Sequence, residues 1–217
     1  MTRFKILLIT CMAVLGVTAV SAAAAQASTT WQVGGSTLPE GKTANIKSSG
    51  GPFTLEVPEL PATIRCSTES NTGTIFNKKN AKGELQGFDT ATVNFTGCVV
   101  VGFEKVCTVT EPITTNTNTE LITVGGVIYD KFTSTTGVFT TITIKGASCP
   151  LLGSYNVTGN TAGKVGPAAV KATLEFSKSI SSASGTQLLF EGLKAYLTGT
   201  SIQELTGEYA GKTLGAK

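Results

Sequence analysis

The chain has 217 residues, of which 14% are charged and 41% hydrophobic, with a formal net charge of +3 and no histidine. Without an imidazole, Ser-His-Asp and Cys-His catalysis and His-ligated zinc are excluded. Asp89 and Asp130 are the only aspartates, too few for calcium loops, and beyond Arg3 only Arg65 could contribute to the arginine clusters that read phosphate or nucleic acid, so no nucleic-acid partner is expected.

Arg3 and Lys5 precede an apolar run over residues 6–20, followed by small residues ending in Ala25-Gln26-Ala27. This is the layout of a secretory signal peptide, with cleavage expected after Ala27. The run is shorter than the roughly 20 residues of a spanning helix, and no second such run follows, so no membrane span is expected after the signal is removed. The expected organisation is a signal peptide at 1–27 and a single β-rich extracellular domain at 28–217. Loss of Arg3 and Lys5 lowers the net charge from +3 to +1, so the basic balance implies no anionic partner.

From Ser28 onward, 33 of 190 residues are Thr, and Val, Ile, Phe and Tyr are common, a composition suited to pleated, half-buried surfaces. Strands are expected first at 31–33, 43–47, 53–57 and 62–66. Ser49-Gly50-Gly51-Pro52 reads as a turn, and Pro58 and Pro61 should end the third strand. Within 53–57, Phe53, Leu55 and Val57 alternate with Thr54 and Glu56, the mark of one buried face. Asn71-Thr72-Gly73 reads as a turn and 77–83 as an exposed Lys-rich loop. Ala91, Val93 and Phe95 then alternate with Thr92 and Asn94.

The polar Thr/Asn run at 114–119 reads as an exposed loop. Strands follow at 120–124, 127–133, 138–145 and 154–158, with turns at Gly125-Gly126, Thr136-Gly137 and Gly166-Pro167. In 170–177, Val170, Ala172, Leu174 and Phe176 face one way. Residues 177–186, rich in Ser and Gly, read as a loop, and strands at 187–191 and 194–197 follow. A short helix near 185–193 is the one helical alternative, and strand is preferred. The expected fold is all-β: an antiparallel β-sandwich or barrel, disulfide-stapled, with little or no helix.

Cys66, Cys98, Cys107 and Cys149 remain after Cys11 leaves with the signal peptide, and an even count in an exported chain reads as two disulfides. Of the three pairings, Cys98–Cys107 with Cys66–Cys149 is favoured, because Cys98 to Cys107 looks like two β-prone arms around a turn near Gly102. A four-cysteine zinc site is disfavoured by the lack of any Cys-x-x-Cys pair.

Sites are sparse. Asp89-Thr90-Ala91 resembles an aspartic-protease motif, whose chemistry needs two carboxylates sharing a proton. Asp130 is followed by Lys131 and makes no second motif, so only a homodimer would supply the pair, and the plainer reading of Asp89 is a turn residue before a strand. Glu175 and Glu191 are candidates for a two-carboxylate hydrolase, against the ordinary reading of solvent-facing strand residues. Trp31, Tyr129, Tyr155, Tyr196 and Tyr209 are candidates for stacking on a ligand such as a sugar, against the reading of core and rim aromatics. Lys78, Lys79 and Lys82 read as a solvated loop tip. Asn94 and Asn156 stand in glycosylation sequons that fall on expected strands.

Ile64-Arg65-Cys66, Phe95-Thr96-Gly97-Cys98, Cys107 and Ile144-Lys145-Gly146-Ala147-Ser148-Cys149, followed by Val157-Thr158-Gly159, resemble secreted four-cysteine β-rich proteins of bacteria, of the actinobacterial type. The region around Cys149 also resembles β-rich bacterial surface and biofilm-matrix proteins. These resemblances span about the middle half of the domain and imply a location rather than an activity. The function expected is that of a non-enzymatic cell-envelope or matrix component without a cofactor, acting through its surface on envelope polysaccharide or by self-association. A glycan- or small-ligand-binding module is the alternative, and a two-carboxylate hydrolase a third.

Overall fold

A computed structural model describes residues 28–60 and 63–217; the signal-peptide expectation for 1–27 lies outside the described residues. In chain order the strands are β1 (Trp31–Val33), β2 (Ser36–Thr37), β3 (Thr43–Gly50), β4 (Phe53–Glu56), β5 (Thr63–Lys79), β6 (Leu85–Val100), β7 (Thr108–Val109), β8 (Ile113–Val124), β9 (Val127–Lys145), β10 (Gly153–Val165) and β11 (Ala172–Phe176). Helix α1 (Lys178–Ser184), β12 (Leu188–Phe190), β13 (Leu193–Leu205) and β14 (Leu214–Ala216) complete it.

The expected all-β class is observed, and the pairings close the large sheet into a ring. β5, β6, β8, β9 and β10 pair in succession, all antiparallel. β10 then pairs with β11 and β12, both of which pair with β13. β13 pairs with β3 and β4, and these return to β5. Because β3 with β4, and β11 with β12, each form one interrupted stave, the barrel has eight staves. A barrel of this size encloses a packed interior or one small ligand.

The long strands differ from the short ones expected. Asn71-Thr72-Gly73 is not a turn but the middle of β5. A Cβ at Gly73 would sit 2.4 Å from the Thr90 carbonyl oxygen, so the glycine permits close strand approach rather than reversal. Thr136-Gly137 likewise lies inside β9, where the register with β10 shifts. Gly125-Gly126 is the turn expected, and its φ values of 58° and 79° fit the mirror-image turn that suits a two-residue hairpin.

The Thr/Asn run at 114–119 is a correction: it forms β8, with Thr115, Thr117 and Thr119 buried and Thr114, Asn116 and Asn118 exposed. Residues 177–186 are also corrected from loop to helix. Ser177 Oγ accepts the Ile180 N–H, and Gly185 closes the end at φ 70°. This helix lies outside the ring, where Ile180 covers Tyr129 and Ala162.

All four cysteines are bonded, but as Cys66–Cys98 and Cys107–Cys149, not in the pairing expected. Cys66 and Cys98 are direct partners across β5 and β6, with Cα atoms 3.9 Å apart. Cys107 does not return to β6, because β7 pairs with β9 and brings Cys107 to Cys149. The hairpin reading failed because a tertiary pairing, not the local turn, chose the partner of β7.

Candidate functional site

The barrel interior is layered along its axis. At one end Trp31 is fully buried and packs with Leu38, Ile46, Ile75, Leu121 and Leu214. This plug is held by Asn77: the Trp31 N–H donates to Asn77 Oδ1 at 2.9 Å, and Asn77 Nδ2 donates to the carbonyls of Trp31 and Leu38 at 3.0 and 2.7 Å. Trp31 Nε1 donates to the Phe88 carbonyl at 3.0 Å. Toward the disulfides, the interior is apolar. Phe53 meets Phe95 and Phe176 edge-on at 5.4 and 5.8 Å, and Phe132 lies 5.7 Å from Phe176.

Between plug and phenylalanines lies a belt of buried polar side chains. Glu69, 4% exposed, accepts from the Ser48 hydroxyl on Oε1 and the Ser201 hydroxyl on Oε2, both at 2.8 Å. Burial raises its pKa above the ordinary carboxylate range, and the two hydroxyl donors oppose that rise. Asn71, Thr115, Thr117, Thr161 and Gln203 complete the belt. Asn71 Oδ1, Thr115 Oγ1 and Thr161 Oγ1 are buried without a hydrogen-bond partner. Such orphans are costly unless a ligand or water satisfies them.

The belt and the phenylalanines face one cavity of about 100 Å³. Glu69, Asn71, Thr115, Thr161, Ser201 and Gln203 are among its lining residues, but the wall it presents is almost wholly apolar, formed with the phenylalanines by Leu174, Leu188 and Val157. Ion pairs among the described residues, such as Lys131–Glu120 at 2.9 Å and Lys47–Glu204 at 3.6 Å, do not involve Glu69.

No family model, curated protein or solved structure matches the chain.

Asp89 and Asp130 also point into the barrel, 2% and 0% exposed. Asp89 is therefore a buried mid-strand residue of β6 rather than a turn residue. The single chain brings the two carboxyls together, which the sequence reading reserved for a homodimer. Enclosure on all sides leaves no room for a peptide substrate beside them. Glu175 lies on the exposed face of β11, and Glu191 sits in the turn after β12 at φ 49°, where its carboxylate accepts the Asn156 N–H. Neither faces the cavity.

The stacking candidates are dispersed over the structure. Trp31 is the plug, and Tyr129 lies beneath α1. Tyr155 stacks on Phe190 at 5.1 Å and donates its hydroxyl to the Leu151 carbonyl, and Tyr196 carries Lys178 over its ring at 4.9 Å. Lys78 lies 4.4 Å from the Phe88 ring centroid, and Lys79 pairs with Glu40 at 3.6 Å. Among the described residues no group of three or more His, Cys, Asp or Glu is placed to hold a metal, and no helix is long and apolar enough to cross a membrane.

The sequence reading missed Glu69, Asn71, Ser48, Ser201, Thr115 and Thr161. A usable signal exists at β8: Ile113 and Leu121 bracket Thr115, Thr117 and Thr119 in the same period-2 phase, so the threonines share an inward face. No comparable local signal distinguishes Ser201.

Proposed function

We propose that the chain is an exported, non-enzymatic β-barrel that holds a small apolar ligand inside its ring. The observation that carries this reading is the enclosed cavity of about 100 Å³, whose wall is almost wholly apolar and rich in phenylalanine. Two disulfides fit an oxidising compartment, as does the signal-like N-terminal sequence. The lack of histidine and the enclosure of the aspartate pair favour binding over turnover.

A xenon titration followed by methyl NMR tests this reading. Shifts at the methyls of Leu174, Leu188, Ile142 and Val157, with none at the outward Ile202, are expected. Leu188→Trp, which fills the space, should abolish them. Unmoved methyls at saturating xenon would remove the internal site.

A second reading, attachment to envelope polysaccharide, draws on the outer face. Asn45, Thr74, Thr90, Asn118 and Thr133 lie in one register row across five strands. Thr72, Thr92 and Asn116 form the next row, and Ser49, Ser70, Asn94 and Thr114 another. These rows present uncharged donors and acceptors suited to sugar hydroxyls. Self-association through open strand edges is less well supported, because ring closure removes the long edges. Co-sedimentation with washed envelopes should be saturable and should fall on Thr92→Glu; full retention in the supernatant sinks this second reading.

A further inference from the structure

On the outer face of the barrel one side-chain arrangement recurs. Thr74 donates its hydroxyl to Asn45 Oδ1 at 3.2 Å, Thr92 to Asn116 Oδ1 at 2.8 Å, Thr114 to Asn94 Oδ1 at 2.7 Å and Thr141 to Asn156 Oδ1 at 2.8 Å. Each bond joins neighbouring strands and fixes an asparagine amide by its oxygen. The Nδ2 group, with two donors, is left unclaimed by the protein. The central row of this face crosses six strands through Asn45, Thr74, Thr90, Asn118, Thr133 and Asn160. With strands about 4.8 Å apart, the row is about 24 Å long. Phe76 and Phe88 lie in the adjoining row. They are register partners, half-buried, stacked at 6.0 Å, and in none of the interior clusters. Lys78, exposed beside them, reaches over both rings.

The charge and polarity of this face select its partner. The central row carries no charge. In the rows on either side, Lys131 pairs with Glu120 at 2.9 Å and Lys47 with Glu204 at 3.6 Å, so an anionic polymer meets no cationic clamp. The well-exposed large apolar side chains, Val101, Val106 and Leu152 among them, lie elsewhere. The apolar centre that marks an interface between two copies is therefore missing.

We propose that this face docks an uncharged polysaccharide chain, laid along the central row with a sugar ring against Phe76 and Phe88. This rests on the second reading above, attachment through the outer face, and not on the interior cavity. Sugar hydroxyls both donate and accept, which matches threonine hydroxyls alternating with held asparagine amides. The phenyl rings and threonine methyls meet the C–H face of a sugar ring, and Lys78 lends a further donor at the aromatic end.

The experiment titrates the purified, oxidised protein with three neutral hexasaccharides, cellohexaose, chitohexaose and mannohexaose, and with anionic hexagalacturonate. Binding is read from the methyl signals of Thr74, Thr90 and Thr133, with the inward Thr117 and Thr161 as controls. Retention on washed envelopes is measured in parallel. The expected result is saturable movement of the three outer methyls with at least one neutral sugar, none at the controls, and none with hexagalacturonate. Thr90→Glu should weaken that binding at least about tenfold, a difference of about 1.4 kcal/mol, while Thr90→Ser stays within about twofold. Phe88→Leu keeps an apolar side chain but loses the ring face, and should weaken binding about threefold. Preference for hexagalacturonate, or movement that spares the three threonines, overturns the proposal. If no hexasaccharide binds while envelopes still retain the protein, the uncharged-polymer assignment fails and the attachment reading stands. If envelopes do not retain it either, both fail. The four-sugar comparison on the wild-type protein decides the question even if F88L does not fold.

Discussion

Asp89 and Asp130, the only aspartates in the chain, meet inside the barrel across β8, with the Thr119 hydroxyl beside Asp89. Asp89 is the register partner of Thr119, and Asp130 that of Leu121, so one intervening strand separates them. Burial raises Asp89 from its usual 3.8 to about 6. Burial raises Asp130 well above the ordinary range too, and the neighbouring Asp89 charge pushes it further. The pair therefore holds a proton that the unfolded chain would release.

The folded state binds more protons than the unfolded state above about pH 4, so stability should fall as pH rises. The loss attributable to Asp89 runs from about pH 4 to about 6, and the contribution of Asp130 extends to higher pH. The combined loss should be on the order of a few kcal/mol. Urea unfolding at pH 4.5 and pH 7.5 measures it. Asp130→Asn should flatten the profile and raise the midpoint at the higher pH. A stability that rises through this range would contradict the buried acid pair.

The disulfide pairing is open to direct mapping. Peptides from a non-reducing digest should join Cys66 to Cys98 and Cys107 to Cys149. The bridges span 32 and 42 residues, so on the chain-entropy account each contributes roughly 4 kcal/mol. Cys107→Ser with Cys149→Ser should lower stability by about that amount. A Cys98–Cys107 peptide would refute the β7–β9 pairing.

The plug predicts a fluorescence signature. Trp31 is the chain's only tryptophan and is fully buried, so emission should be blue-shifted, resist acrylamide quenching and move to the red on unfolding. Asn77→Ala removes three hydrogen bonds and leaves the Trp31 N–H and the Leu38 carbonyl buried without that partner, while the Trp31 carbonyl keeps the Leu38 N–H. It should cost about 3 kcal/mol. Asn77→Ala with unchanged stability and unchanged quenching would show that the amide does not hold the plug.

Much of the wall was readable from sequence. Phe53, Leu55 and Val57 are buried as their alternation indicates, and so are Ala172, Leu174 and Phe176, whereas Val170, expected on the same face, precedes β11 and is exposed. Such faces are legible because a strand's side-chain period is fixed at two whatever its partner. The polar belt was not, for the opposite reason. Glu69 and Ser201 are residue types that ordinarily face water, and only the neighbouring staves reveal that they do not; within the belt, only β8 carries a sequence signal, in the shared phase of Ile113, Thr115, Thr117 and Leu121. Residues 177–186 misled because Ser and Gly are common both in loops and at helix ends, and Ser177 acts here as a cap.

The sequence by itself determined the all-β class, the bonding of four cysteines, the inward faces of the apolar strands and the absence of histidine chemistry. These follow from composition and local periodicity. Ring closure, the partner of each cysteine, the meeting of Asp89 with Asp130 and the burial of Glu69 between Ser48 and Ser201 were decided only by the tertiary structure. Each depends on which strand lies beside which, and strand pairing is chosen by long-range packing and register rather than by any short stretch of chain.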